Sequence, residues 1–273
     1  MKAGWEAEIA LAFGVGGGRT TLVRRYGRGP LAVQRPFHPG DGVCHLYLLH
    51  PPGGVAGGDS LDVHVHARGG AAALVTTPAA AKVYRTLGAS SRMRQTLVVD
   101  EGASLEWLPQ ETILFGGSAC RVHTDVQLAK GARFAGWEVF ALGREHFGDH
   151  YTQGSFRQRM QLHIDGALCV RELQDFAPGD PAVVERWGLA SRRAFGTLYA
   201  VPADEDVLAR ARHALGEVPD CVDAGATLLD GVLAVRAVGS AGSDVRAALA
   251  RAWSGLRPLV IGARPMHPRI WAT

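Results

Sequence analysis

Four of the chain's Gly-Ala pairs each open a short apolar run. Gly70-Ala71 leads into Ala73-Leu74-Val75, and Gly102-Ala103 into Leu105-Glu106-Trp107. Gly131-Ala132 leads into Phe134-Ala135-Gly136-Trp137, and Gly166-Ala167 into Leu168-Cys169-Val170. A glycine that permits a tight turn, followed by a few apolar residues, is the mark of a turn entering a strand. The intervals of 32, 29 and 35 positions are too uneven for a strict solenoid repeat. They suit stacked sheets in which a glycine turn precedes each strand. The competing explanation is compositional, because a chain with 35 glycines and many alanines produces such pairs by chance.

The densest glycine block is His50-Pro51-Pro52-Gly53-Gly54-Val55-Ala56-Gly57-Gly58-Asp59. A phosphate-binding loop needs its glycines to run into a helix N-terminus, where amides and dipole face the anion. Here Ser60 to His66 alternates instead, with Leu61, Val63 and Val65 on one face and Asp62, His64 and His66 on the other. That is strand periodicity, so the phosphate reading fails. No G-x-x-x-x-G-K-[ST] motif occurs elsewhere.

With 273 residues, 47% of them hydrophobic, the chain can build one large β-rich domain or two modest ones. The net charge of +3 is mild and its basic residues are scattered, which argues against nucleic acid or an anionic membrane as partner. Cysteines at 44, 120, 169 and 221 form no C-x-x-C pair, so neither a zinc site nor a thioredoxin-like centre is indicated. Met1 to Arg25 lacks the apolar core of a signal peptide, and no apolar run reaches the roughly 20 residues that span a bilayer. The expected setting is a reducing cytoplasm with four free thiols.

The last third changes character. Gly196 to Val201 reads as a strand; Asp204 then starts a helix with Val207, Leu208, Ala211 and Leu215 on one stripe, closed by Gly216. Thr227 to Val238 has the hairpin signal Asp230-Gly231 at its centre. Ser243 or Asp244 is expected to cap a second helix, faced by Val245, Leu249, Trp253 and Leu256 and ending before Pro258. The expected fold is therefore mainly β: a layered or helical β-sheet body with two C-terminal α-helices in a β-α-β-β-α tail. The linker-like Ala177-Pro178-Gly179-Asp180-Pro181 divides a body over 1–180 from a smaller α+β segment over 181–273 packed on it.

Several acids sit at apolar parity. Asp59 shares the parity of Leu61, Val63 and Val65; Glu111 that of Ile113 and Phe115; Glu172 that of Leu168 and Val170. Glu138 lies inside Trp137-Glu138-Val139-Phe140-Ala141-Leu142, apolar on both faces. An isolated buried carboxylate costs several kcal/mol or takes up a proton, so such residues need partners, water or a purpose. Each could pair with an arginine, with Arg35, Arg85, Arg144 and Arg171 near in sequence, or end its strand in solvent. Alternatively several could line one wet channel or metal path, although a single bulge would turn any of them outward.

The glycine block, followed by Thr76-Thr77-Pro78-Ala79-Ala80-Ala81-Lys82-Val83-Tyr84-Arg85 and Glu106-Trp107-Leu108-Pro109-Gln110-Glu111-Thr112-Ile113, resembles the urease accessory protein UreD (UreH) family. The likeness runs from Val33-Gln34-Arg35-Pro36-Phe37 and His45-Leu46-Tyr47-Leu48-Leu49 to Pro268-Arg269-Ile270-Trp271. It implies a non-enzymatic maturation factor that binds apo-urease and the accessory partners UreF and UreG. It also implies an internal water-filled route for nickel, with Ni²⁺ a transient passenger and no tightly bound cofactor. Carried onto this chain, the residues of that route are Asp59, Glu138 and Glu172. Carboxylates hold Ni²⁺ less firmly than imidazole or thiolate does, which suits passage better than storage.

His64-x-His66 could place two imidazoles on one strand face, but a solvated polar face explains the pattern as well. His45 and His50 flank an apolar run and read as packing or hydrogen-bonding residues. His267 stands where some UreD relatives carry cysteine, so a tail thiol ligand is not expected. Two other functions remain open: a pure scaffold without an ion route, and a β-rich carbohydrate hydrolase using Glu106 with Glu111, or Glu138 with Glu172, as acid and base. Against the hydrolase stand only six Trp and five Tyr, with no row of aromatics to stack a sugar.

Overall fold

The protein is described from a computed structural model that covers residues 4–86, 88–144 and 147–272. Its strands are β1 (Glu6–Gly16), β2 (Arg19–Arg28), β3 (Ala32–Val33), β4 (Cys44–Leu49), β5 (Ser60–Ala67), β6 (Ala72–Thr76), β7 (Ala81–Val83), β8 (Ser91–Val99) and β9 (Ser104–Leu108). They continue with β10 (Thr112–Leu114), β11 (Ser118–Leu128), β12 (Arg133–Leu142), β13 (Gly154–Ile164) and β14 (Ala167–Phe176). A short α1 (Pro181–Val184) precedes β15 (Ala194–Val201), α2 (Glu205–Leu215), β16 (Val222–Leu229), β17 (Val232–Gly239) and α3 (Gly242–Val260).

The strands form two sheets, and the central part of the chain coils between them. In the first sheet the order is β14-β13-β11-β8-β5-β1-β2; in the second it is β16-β17-β15-β12-β9-β6-β4-β3, with β10 joining β12 to β7. Strands β5, β8, β11 and β13 stack in parallel in the first sheet, and β6, β9 and β12 in the second. Ala72 lies beside Ser104, and Ser104 beside Arg133, the same intervals that separate the first three Gly-Ala pairs. Those pairs are the corners of the coil. Gly70, Gly102 and Gly131 have φ of 74°, 69° and 77°, and close turns in which Ala71, Ala103 and Ala132 donate to Arg68, Asp100 and Ala129. Successive corners also bond to each other, Ser104 N–H to Ala71 O at 2.8 Å and Arg133 N–H to Ala103 O at 2.9 Å, so the stacking of the strands carries on through the turns.

The fourth pair departs from this pattern. Asp165 and Gly166, at φ 51° and 79°, make a two-residue hairpin, and β14 returns antiparallel to β13 in the same sheet. The Asp230-Gly231 hairpin joins β16 and β17 as expected. The C-terminal segment does not pack on the body as a separate layer of strands. β15 pairs antiparallel with β12, so β15, β17 and β16 continue the second sheet across the 180/181 boundary.

Two apolar layers result. Between the sheets lie Ile9, Phe13, Val65, Leu97, Phe134 and Phe156 among others. On the far side of the second sheet, α2 and α3 bury Leu208, Ala211, Leu249 and Trp253 against Trp137, Leu198 and Leu233. Asp204 caps α2 by accepting from Val207 N–H at 2.9 Å, as the sequence implies. The start of α3 differs: Ala241 is its N-cap and no side chain caps it. Pro258 lies within α3 and the helix continues to Val260. The ring is exposed, on the solvent side of the last turn, where the carbonyl it leaves unpaired can be hydrated. No helix among the described residues is long and apolar enough to cross a membrane.

Candidate functional site: a polar seam between the sheets

The three unusual sequence blocks are consecutive corners of the coil, stacked on one another. Val55 N–H donates to Lys82 O at 2.7 Å, Tyr84 N–H to Val55 O at 2.8 Å, and Ala81 N–H to Glu111 O at 2.9 Å. Around them opens a cavity of about 230 Å³, with His50, Gly54, Thr77, Lys82 and Gln110 in its wall. Glu138, Trp107 and Phe140 line this cavity and also a narrower one of about 20 Å³, enough for a single water, that runs on to Glu172.

Strand β12 aims Glu138 inward. Phe134, Gly136, Glu138 and Phe140 face the seam, while Ala135, Trp137 and Val139 face the helices, which explains why this strand is apolar at both parities. Glu138 Oε1 accepts from Thr124 Oγ1 of β11 at 2.7 Å, and Oε2 from Gln158 Nε2 of β13 at 2.9 Å. Neither donor is charged. Burial pushes the Glu138 carboxyl up to about 6; the two hydrogen bonds oppose this and neighbouring Glu172 adds to it.

Glu172 reaches the same seam from β14. It accepts from Gln174 Nε2 at 3.0 Å, from Thr197 Oγ1 at 3.3 Å and from the Tyr199 hydroxyl, and Arg236 Nε stands 3.8 Å away. Burial first, and then the adjacent Glu172 charge, raise the Tyr199 phenol above its ordinary range and keep it a donor.

Asp59 is placed differently from the parity argument. It precedes β5 in the turn, half-buried, and is absent from the walls of both cavities. Its two oxygens accept from Trp5 N–H and Ala56 N–H, each at 2.8 Å, which pins the glycine block to the N-terminal segment. The strand begins one residue too late for its alternation to govern Asp59. Glu111 pairs with Arg246 at 3.2 Å, an arginine far away in sequence.

The most buried ionic group is one that periodicity did not single out. Arg257, Glu106, Asp41 and His45 are all buried; Trp253 Nε1 also donates to Glu106 Oε1 at 2.7 Å. Burial alone would raise Asp41, but hydrogen bonds from His45, Arg257 and the Val43 amide reverse this and hold it well below the usual carboxylate range. A signal existed: Arg257 is four residues after Trp253 on the apolar stripe of α3, a position that requires a buried partner. Glu106 and Glu111, one acid–base pair considered for a hydrolase, are therefore both held by arginines.

His64 and His66 share the outer face of β5, where His66 bonds Asp100 at 2.8 Å. His45 bonds Asp41 at 2.9 Å, and His267 packs edge-on against Trp253 and Trp271. Among the described residues, no three His, Cys, Asp or Glu side chains gather as a metal-holding group. Cys44 and Cys120 are buried free thiols; Cys169 and Cys221 are exposed ones.

The family model described as UreD urease accessory protein matches residues 6–272, nearly every residue of both sheets and all three helices. The chain belongs to the UreD urease accessory protein family. Its UreD relatives include the protein of Alkalilimnicola ehrlichii, 46% identical over 100% of this chain and 93% of the relative. That of Pseudomonas putida is 38% identical over 99% and 95%, and that of Klebsiella aerogenes 38% over 100% and 98%. The coil, the stacked corners and the seam are thus features of a UreD chain, and the family name ties the chain as a whole to urease maturation.

Proposed function

We propose that this UreD chain is a non-catalytic maturation factor that passes Ni²⁺ to apo-urease along the seam between its sheets. The observation that carries the reading is the pair Glu138 and Glu172, two half-buried carboxylates in one seam, held mainly by neutral donors. A buried acid whose job is structural is normally neutralised by an arginine, as Glu106 is here. Two carboxylates supplemented by hydroxyls and water form a weak, hard donor set for Ni²⁺, and a passing ion must be released. Asp59 serves this route by fixing the glycine block beside the wider cavity, next to His50. UreF and UreG are the proposed partners on the supply side, with GTP hydrolysis assigned to UreG, and apo-urease is the receiver. The setting is cytoplasmic.

The test is the variant Glu138→Gln/Glu172→Gln, co-purified with urease and the accessory proteins and then assayed for nickel-dependent activation. Intact assembly with activation slowed at least about tenfold, the order of effect of deleting a charged ligand, is expected. Intact assembly with normal activation would establish the pure scaffold instead.

A further inference from the structure

The outward face of the first sheet carries a cationic ladder that neither the seam nor the core explains. Register places Arg92, Arg121 and Arg157 side by side on β8, β11 and β13, and Arg94, His123 and Arg159 in the row beside them. Adjacent strands stand about 4.8 Å apart and the two rows about 7 Å apart, so these groups crowd one small, flat area. Arg92 is answered by Asp62 at 3.4 Å, and Arg157 by Asp175 through its Nε at 2.9 Å. Among the described residues Arg94, Arg121 and Arg159 have no hydrogen-bond or ion-pair partner. Moreover, Arg159 Nε is buried without a partner; beside it the Nε2 of His123 is unpartnered too, and burial with the neighbouring Arg159 and Arg94 pushes that imidazole below its ordinary pKa, toward the neutral form. A desolvated, unanswered guanidinium donor at Arg159, with the unpaired guanidiniums of Arg94 and Arg121 close by, is costly unless something anionic covers it.

We propose that this face docks a carboxylate-rich segment of a protein partner. Guanidiniums bind carboxylates in bidentate fashion, and alternate side chains of an extended chain fall about 7 Å apart, the interval between the two arginine rows. Nucleic acid fits less well. No Phe, Tyr or Trp stands on the outward positions of β5, β8, β11 or β13 to stack a base, and Asp62, Asp125 and Asp175 border the ladder. The proposal is independent of the nickel route.

The test measures fluorescence anisotropy of a labelled Glu-Ser repeat decapeptide, with a labelled oligo-dT of equal length alongside, against the full chain at low and moderate salt. The variant Arg94→Ala/Arg121→Ala/Arg159→Ala should weaken peptide binding at least about tenfold, the three corresponding Lys substitutions much less. Arg24→Ala/Arg25→Ala on β2, at the edge of the same sheet, should change it less than about twofold. The proposal is overturned if the decapeptide does not bind at low salt, if all variants bind it alike, or if oligo-dT binds more tightly than the peptide.

Discussion

Arg257 grips Glu106 with two parallel hydrogen bonds, Nε to Oε1 and Nη2 to Oε2, both 2.9 Å long. The same Nη2 reaches Asp41 Oδ2 at 2.7 Å, and Nη1 donates to Arg264 O at 2.7 Å. One guanidinium thereby joins α3 to β9, to the loop before β4 and to the C-terminal tail. With every charged member buried, the pair attraction is offset by the cost of removing the ions from water. Breaking it is another matter, since two carboxylates would be left without their cation.

Arg257→Met should therefore destabilise the fold by about 3–5 kcal/mol, far beyond an exposed substitution. Urea unfolding followed by tryptophan fluorescence measures this. A loss below about 1 kcal/mol would mean that Glu106 and Asp41 find other partners or protons.

Glu138 makes a pH dependence of opposite sign to that of an ordinary ion-paired acid. Its folded pKa, about 6, lies above the ordinary 4.5, so the folded state binds the extra proton between those values. Its contribution is fully present below pH 4.5 and is lost as pH rises through 6, to the extent of about 2 kcal/mol. Glu138→Gln should remove that slope, and be the more stable protein at pH 7.5. Chemical denaturation of both proteins at pH 5 and 7.5 decides it; parallel profiles would show that Glu138 ionises freely in the fold.

The coil was partly legible because each corner needs a glycine at positive φ, and that need is local. Gly70, Gly102 and Gly131 therefore mark it directly. The fourth pair, at Gly166, also marks a turn before a strand, but a hairpin and a coil corner ask the same thing of the residue at the turn, so the pair does not say which of the two follows. Glu138 was legible from a strand apolar on both faces. Asp59 was not, because its direction depends on where β5 begins, and the backbone bonds of the loop decide that. The Arg257 cluster joins residues 41, 45, 106 and 257, and such long-range pairing leaves only the trace of an arginine on an apolar stripe.

Within the glycine block, Gly54 and Gly57 admit little side-chain volume. A Cβ on Gly57 would overlap the Thr86 side chain and come within 2.8 Å of Ala89 O, and the backbone oxygen cannot swing away as a flexible side chain would. Gly57→Ala should shift the loop that Asp59 pins and cost about 1–3 kcal/mol. Thermal unfolding measures the cost, and a stability within about 0.5 kcal/mol of the original would show that the corner yields.

Tyr199 and Glu172 set the last prediction. The Tyr199 hydroxyl donates to Glu172 Oε2, and its raised pKa keeps that proton in place throughout the physiological range. A hydrogen bond to a carboxylate lowers its basicity and competes with a cation for the same oxygen. Tyr199→Phe removes the competitor while leaving Thr197, Gln174 and Arg236 around the carboxylate. If Ni²⁺ passes Glu172, it should then be held more tightly and released more slowly. In urease activation assays the half-saturating nickel concentration should fall and the maximal rate should fall with it, each by about tenfold to a hundredfold for one hydrogen bond to a charged group. A variant that lowers the rate at every nickel concentration without moving the midpoint would instead point to a packing role for Tyr199.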